Sequence, residues 1–321
     1  MARMFIEQWS PEYGSSTDTD ESLAATIEEI DIAVEVDGPW EPIDGTPLSD
    51  SGIETVAVVD GVRRIDARLT LENGAGPVPG LCGSVAAGSV IWRPGVPIAE
   101  FDEVRVDRLA LFGSGNEPIM PDVRGGFSYR SQAVGSTDPG LLIPALHDRM
   151  RKLETSLASS MARDGHVVIS DGRVSGLESL PIVGFIKSHR VNYLPATVGG
   201  IIEKLGNGQR TPLFALADFA RYSWYVRLAD VSGGHSWSGI ARCEISGSLS
   251  KDRAIDLANR VTGMLPCLAS EPHIDPRAPQ NLVPIGALER HLRRYLGDQK
   301  LAYRALREAV LRQEPDTIRA G

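Results

Sequence analysis

The chain of 321 residues is most informative first in what it lacks. It has only three cysteines, Cys82, Cys243 and Cys267, in no paired spacing. That suggests neither a disulfide framework nor a thiolate metal site, and it fits a reducing cytoplasm. No apolar run approaches the ~20 residues that span a bilayer, and the N-terminus has no charged-then-apolar leader. The expectation is a cytoplasmic protein. A Gly-x4-Gly-Lys-Ser/Thr phosphate loop is also missing, which argues against an intrinsic ATPase. There is no internal repeat and no low-complexity tract.

Basic residues are nearly absent from one part of the chain. Residues 1–60 hold fifteen Asp or Glu against one base, Arg3, although the net charge of the whole is −9. The remainder carries 27 acids and 32 bases. An acidic leader on a mildly basic body is solvated charge, a dock for a basic partner, or a cover for the body's own groove. Net charge therefore does not exclude nucleic acid.

The stretch "ETVAVVDGVRRIDARLTL" (54–71) has two alternating runs around Asp60-Gly61. Asp-Gly between such runs predicts a β-hairpin, since glycine tolerates the positive φ of tight turns. The same aspartate at a strand end is also placed to hold a metal. Two more strands are predicted over 83–95 and 101–113. In residues 136–165, Leu142, Leu146, Met150, Leu153, Leu157 and Met161 recur every three or four positions, the stripe of an amphipathic helix. Ser136, Thr137 and Asp138 are its cap candidates, and Asp164-Gly165 stops it. "HVVIS" then runs into Asp171-Gly172 like a buried strand, and "LPIVGFIKSHR" (180–190) predicts another with Lys187 at its end.

Residues 195–222 read as helical with glycine interruptions, 221–230 and 238–246 as strands, and 250–269 as a helix capped by Ser250. "SLAATIEEIDIAVEV" (22–36) fits helix and strand spacing alike. A proline-rich link (271–284) precedes a basic helical tail from Ile285 to Arg312. This order predicts an α/β fold, a mixed sheet with helices on its faces.

Asp60, Glu154 and Asp171 are the candidate carboxylates. Glu154 lies at the edge of the apolar stripe of its helix, seventeen residues before Asp171. Hard divalent ions take two or three carboxylates plus water and phosphate oxygens. Paired ions can clamp the attacking and leaving oxygens of a phosphoryl displacement. Crowded acids without a metal raise one another's pKa. The plain alternatives are two turn aspartates and a solvated helix glutamate.

These motifs, in this order, resemble the NurA family of DNA end-processing nucleases. "VAVVDGVRR" is similar to the family's Asp-Gly-Ser strand, with Val62 in the serine place. "RKLETSLASSMARDGHVVISDG", "PIVGFIKSHR", "GQRTPLFAL" and "YSWYVRLAD" resemble its later motifs, over roughly residues 50–290. The resemblance implies a ribonuclease H-like mixed sheet flanked by helices, with a helical insertion at about 195–222 and a helical C-terminal tail. An acidic extension (1–50), a nuclease domain (51–290) and a basic tail (291–321) would make up the chain.

It further implies a deoxyribonuclease using Mn²⁺ or Mg²⁺, two ions, acting on DNA ends in repair or defence. The working form would be a homodimer docked on a hexameric HerA-type translocase. Asp60, Glu154 and Asp171 would hold the metals and Lys187 would stand near the scissile phosphate. Arg63, Arg64, Arg173 and Arg190 are the candidate phosphate contacts. The family also has a Tyr-Pro followed by a His near the C-terminus. "APQNLVPIGALERH" has neither at the expected places, so the nearby His273 or His291 would have to substitute, or the site is reduced to three carboxylates. A non-catalytic adaptor on a ring ATPase, and an enzyme acting on RNA or hybrids, are the other readings.

Overall fold

The computed structural model describes residues 3–7, 30–74, 76–173, 179–187, 193–216 and 220–312. Residues 8–29 of the acidic leader, which include the first part of 22–36, and Arg190 lie outside them. Among the described residues there is one sheet of thirteen strands. Its principal members are β1 (Val56–Glu72), β2 (Pro77–Trp92), β3 (Glu100–Phe112), β4 (Val167–Asp171), β5 (Ile182–Ile186), β6 (Arg221–Arg227) and β7 (Ile240–Ser246). Helices α1 (Leu142–Arg163), α2 (Lys251–Met264), α3 (Val283–Tyr295) and α4 (Gln299–Leu311) cover it. No helix among the described residues is long and apolar enough to cross a membrane.

The strand order is β3-β2-β1-β4-β5-β7-β6. β1, β2 and β3 pair antiparallel as a meander, whereas β1, β4 and β5 run parallel. This is the expected class of fold, a mixed sheet flanked by helices. The α1 stripe packs Leu157, Ala158 and Met161 against Ala57, Val59 and Val168. On the opposite face α2 covers Val56, Val58 and Ile169, and α3 covers Val62 and Ala86 through Leu288, Leu292 and Leu296. Successive residues of a strand face opposite sides, so β1 feeds both layers in alternation.

Two local expectations are overturned. Asp60-Gly61 is not a hairpin turn: both residues lie inside the 17-residue strand β1, opposite Gly88 and Ala87 of β2. Gly61 keeps an extended backbone without a positive φ. Pairing along nearly the whole of β2 outweighs the local turn preference, and the strand bends only at a bulge between Ile65 and Ala67. Residues 195–222 are helical only as two single turns, Ala196–Gly199 and Ile201–Lys204; Phe214–Leu216 is a strand paired with β6. Ile30–Asp31 pairs with that strand and Ile43–Asp44 with Gln209–Arg210, so two short segments before residue 50 belong to the sheet. Helix α3 runs unbroken through positions 290 and 291.

Candidate metal centre

The site forms where the parallel pairing of β1 and β4 ends. That ladder closes at Val59 opposite Ser170, so Asp60 and Asp171 follow side by side. Asp60 shares the side-chain face of Val58 and Val62, toward α3. Gly172, with φ +90, turns the chain away after Asp171; here the Asp-Gly reading as a strand-end turn is correct.

Ligand oxygens of Asp60, Asp171 and Glu289 all lie within 4.8 Å of one another, and no other such group of three occurs among the described residues. Glu289 comes from α3, beside the sheet-packed Leu288. Sequence reasoning missed it. Its one available signal was position: it falls inside the stretch "APQNLVPIGALERH", where the family resemblance places a supporting Tyr and His.

The expected third carboxylate is elsewhere. Glu154 is buried on α1, across the sheet from Asp60. It is not a member of the converging group. Its carboxylate presses against the backbone of β1 at Gly61, where a Cβ would come 2.2 Å from Oε1. Gly61 is therefore an opening for Glu154, not a turn residue. Glu154 and Asp171 both line a cleft on the α1 side, with Arg151, Thr155, Ser170 and Arg173.

The electrostatics suit a cation. Asp60 is 6% exposed, and its Oδ2 is buried with no hydrogen-bond partner. Burial pushes its carboxyl well above the usual range, and the charges of Asp171 and Glu154 push it further; Lys187 opposes them only in part. Asp171 is likewise raised by burial, with Lys187 pulling it back. An orphaned carboxylate oxygen between two other carboxylates is a group that a hard divalent ion would satisfy. The residues present fit such an ion.

Lys187, at the end of β5, donates to Asp171 Oδ2 at 2.6 Å and to Asn281 Oδ1 at 2.9 Å. It therefore stands beside one of the three converging carboxylates. Of the arginines, Arg173 borders the α1-side cleft and donates to the Tyr193 hydroxyl at 2.9 Å. Arg63 shares the α1 face with Gly61 by alternation.

Arg64 departs from its expected role. Its Nε donates to Asp66 at 2.7 Å and its Nη2 to the Leu296 carbonyl at 2.9 Å, clamping β1 to the end of α3. Neither histidine substitutes at the metal centre. His273 is exposed beside Glu271, and His291 stacks flat on Phe101 with centroids 3.9 Å apart.

No protein-family model matches the chain. No curated protein matches it either. Among solved structures it is similar to the crystal structure of the NurA nuclease from Sulfolobus solfataricus, at 12% identity and a TM-score of 0.42, over 80% of this chain and 86% of that one.

Proposed function

We propose that this chain is a divalent-metal-dependent nuclease that hydrolyses phosphodiester bonds in DNA. The observation that carries the reading is the convergence of Asp60, Asp171 and Glu289 around the unpartnered Asp60 Oδ2 at the end of a ribonuclease H-like sheet. These three residues would hold Mn²⁺ or Mg²⁺. Asp171 also lines the cleft that contains Glu154, so a second ion would share Asp171 and use Glu154. Bound there, the ions supply positive charge to the phosphoryl oxygens and acidity to a water nucleophile.

The protein's own groups set the rest. Asp60 and Asp171 are held on adjacent strands whose ladder fixes their separation, so little reorganisation is needed at the site. Lys187 brings a cation beside Asp171, where it can stabilise charge developing on a phosphate. Arg151 and Arg173 border the cleft and are suited to a neighbouring phosphate of the same strand. In this reading the acidic residues 1–50 and the tail from 291 serve docking on a HerA-type hexameric translocase, and the chain works as a homodimer in DNA end processing.

The test is degradation of linear and single-stranded DNA with Mn²⁺, against RNA and hybrid competitors. Asp60→Asn, Asp171→Asn and Glu289→Gln should each lower the rate at least 100-fold. Full activity in Glu289→Gln would remove that residue from the site. Mixing with a HerA-type ATPase, read by co-elution, tests the partner. A wild type that neither binds Mn²⁺ nor cleaves, yet co-elutes with the ATPase, would establish the adaptor instead.

A further inference from the structure

Glu289 and Lys187 approach the aspartates from different elements, yet one segment joins them. Between α2 and α3 the chain carries Asp275, Arg277 and Asn281. Lys187 Nζ donates to Asn281 Oδ1 at 2.9 Å, and Asn281 Nδ2 donates to Asp275 Oδ2 at 2.7 Å. Arg277 donates to Asp275 from its backbone N–H at 2.8 Å and from Nε and Nη2, each at 3.2 Å. The same guanidinium forks onto Glu289, with Nη1 to Oε1 at 3.2 Å and Nη2 to Oε2 at 3.1 Å. Asp171 and Glu289, two of the three converging carboxylates, are thus the ends of one unbroken chain of hydrogen bonds.

The chain is built into the fold. Asn281 is fully buried and Asp275 nearly so. The amide has one orientation that serves both neighbours, its oxygen toward the lysine and its nitrogen toward the carboxylate. Gly286, one turn before Glu289 on α3, makes room for it. A Cβ there would stand 3.1 Å from Asn281 Nδ2 and 3.2 Å from Asp275 Oδ2. The helix that delivers Glu289 is seated directly on this pair.

We propose that Arg277 and Asn281 are positioning residues that lock Glu289 and Lys187 to one another across the metal centre. The inference rests on the metal-site reading above. Because the fork takes one lone pair from each oxygen of Glu289, the glutamate keeps a fixed plane and would offer the ion a single oxygen. Groups that orient a ligand in this way typically contribute about 10–100-fold in metal affinity.

The experiment is calorimetric titration of the full chain with Mn²⁺, with the thermal midpoint of the metal-free protein as control. Arg277→Ala should weaken Mn²⁺ binding about 10–100-fold while moving the midpoint little, since the arginine side chain is half exposed. Arg277→Lys should recover part of the loss, because an ammonium keeps the charge without the planar fork. Asn281→Asp keeps the acceptor for Lys187 but turns a carboxylate oxygen toward Asp275, so it should weaken binding by a similar factor. If Asn281→Asp fails to fold, the arginine pair still decides the matter. Arg277→Ala that binds Mn²⁺ as tightly as wild type overturns the proposal. So does tighter binding, which would make Arg277 a competing cation. A wild type that binds no Mn²⁺ overturns both this inference and the nuclease reading, whereas good wild-type binding with unchanged variants overturns the positioning alone.

Discussion

Gly61→Ala separates the two explanations of the Asp60-Gly61 pair. If glycine were needed for a turn, alanine would act through backbone strain and no side-chain change could rescue it. The structure puts the conflict elsewhere. A Cβ at Gly61 would lie 2.2 Å from Glu154 Oε1, 3.0 Å from its Cδ and 2.9 Å from Met150 Cγ. Overpacking of this kind costs about 1–3 kcal/mol. Replacing glycine where the backbone is compatible returns about 0.4–1 kcal/mol through the unfolded chain. The net expectation is destabilisation of up to about 2.5 kcal/mol, centred near 1 kcal/mol. In a Glu154→Ala background two of the three contacts vanish and the third belongs to a flexible methionine, so the same substitution should become neutral or stabilising. Urea unfolding of the four proteins in the cycle gives the coupling, expected at about 1–2 kcal/mol. Additivity within about 0.5 kcal/mol would refute the reasoning. Gly172→Ala is the contrast: no atom lies within 4 Å of its Cβ position, but φ is +90, so its cost should persist in every background.

Two other outcomes follow from buried charge. Asp60 and Asp171 have carboxyls raised in the fold, so the folded state holds those protons more tightly than the unfolded chain. Their contribution to stability is complete below the unfolded carboxylate value and is lost as pH rises through the raised folded value. The metal-free protein, scanned in chelator, should therefore lose stability from acid toward neutral pH, and Asp60→Asn should flatten that slope; parallel curves would contradict it. Arg210, fully buried, grips both oxygens of Glu35 at 2.7 and 2.8 Å and also Asn259. Arg210→Ala leaves a largely buried carboxylate with the Leu213 N–H but no countercharge in contact, and should cost about 3–5 kcal/mol in urea unfolding; a loss below about 1 kcal/mol would show that Glu35 finds another partner.

The parts legible in the sequence were those whose signal is local. The α1 stripe, the apolar strand before Asp171-Gly172 and the lysine that closes the next strand each follow from a short periodic run. What failed depended on partners distant in the chain. Nothing in "VAVVDGVRRIDARL" reports that β2 runs beside it almost end to end, and that pairing keeps Asp60-Gly61 extended. Arg64 looked like one more cation beside the carboxylates, but the carbonyls that bind it sit at the end of α3. Glu289 is the single acid of the basic helix α3, and only the docking of Leu288 and Leu292 on the sheet aims it at Asp60.

The site's composition follows from strand parity once β1 is continuous. Ala57 and Val59 meet the α1 stripe, so Gly61 does also, and Asp60 must face the other way. A glutamate on α1 cannot then share Asp60's face, however well its spacing to Asp171 suits a motif. It can only approach through a position without a side chain, and Gly61 is that position. The third carboxylate on Asp60's face has to come from whatever covers Val62, which is α3. Asp171, at the free end of its strand, borders both faces, with Glu289 on one and the Glu154 cleft on the other. The acids thus divide across the sheet, and Asp171, which alone borders both groups, is held beside Asp60 by the register of Val59 with Ser170.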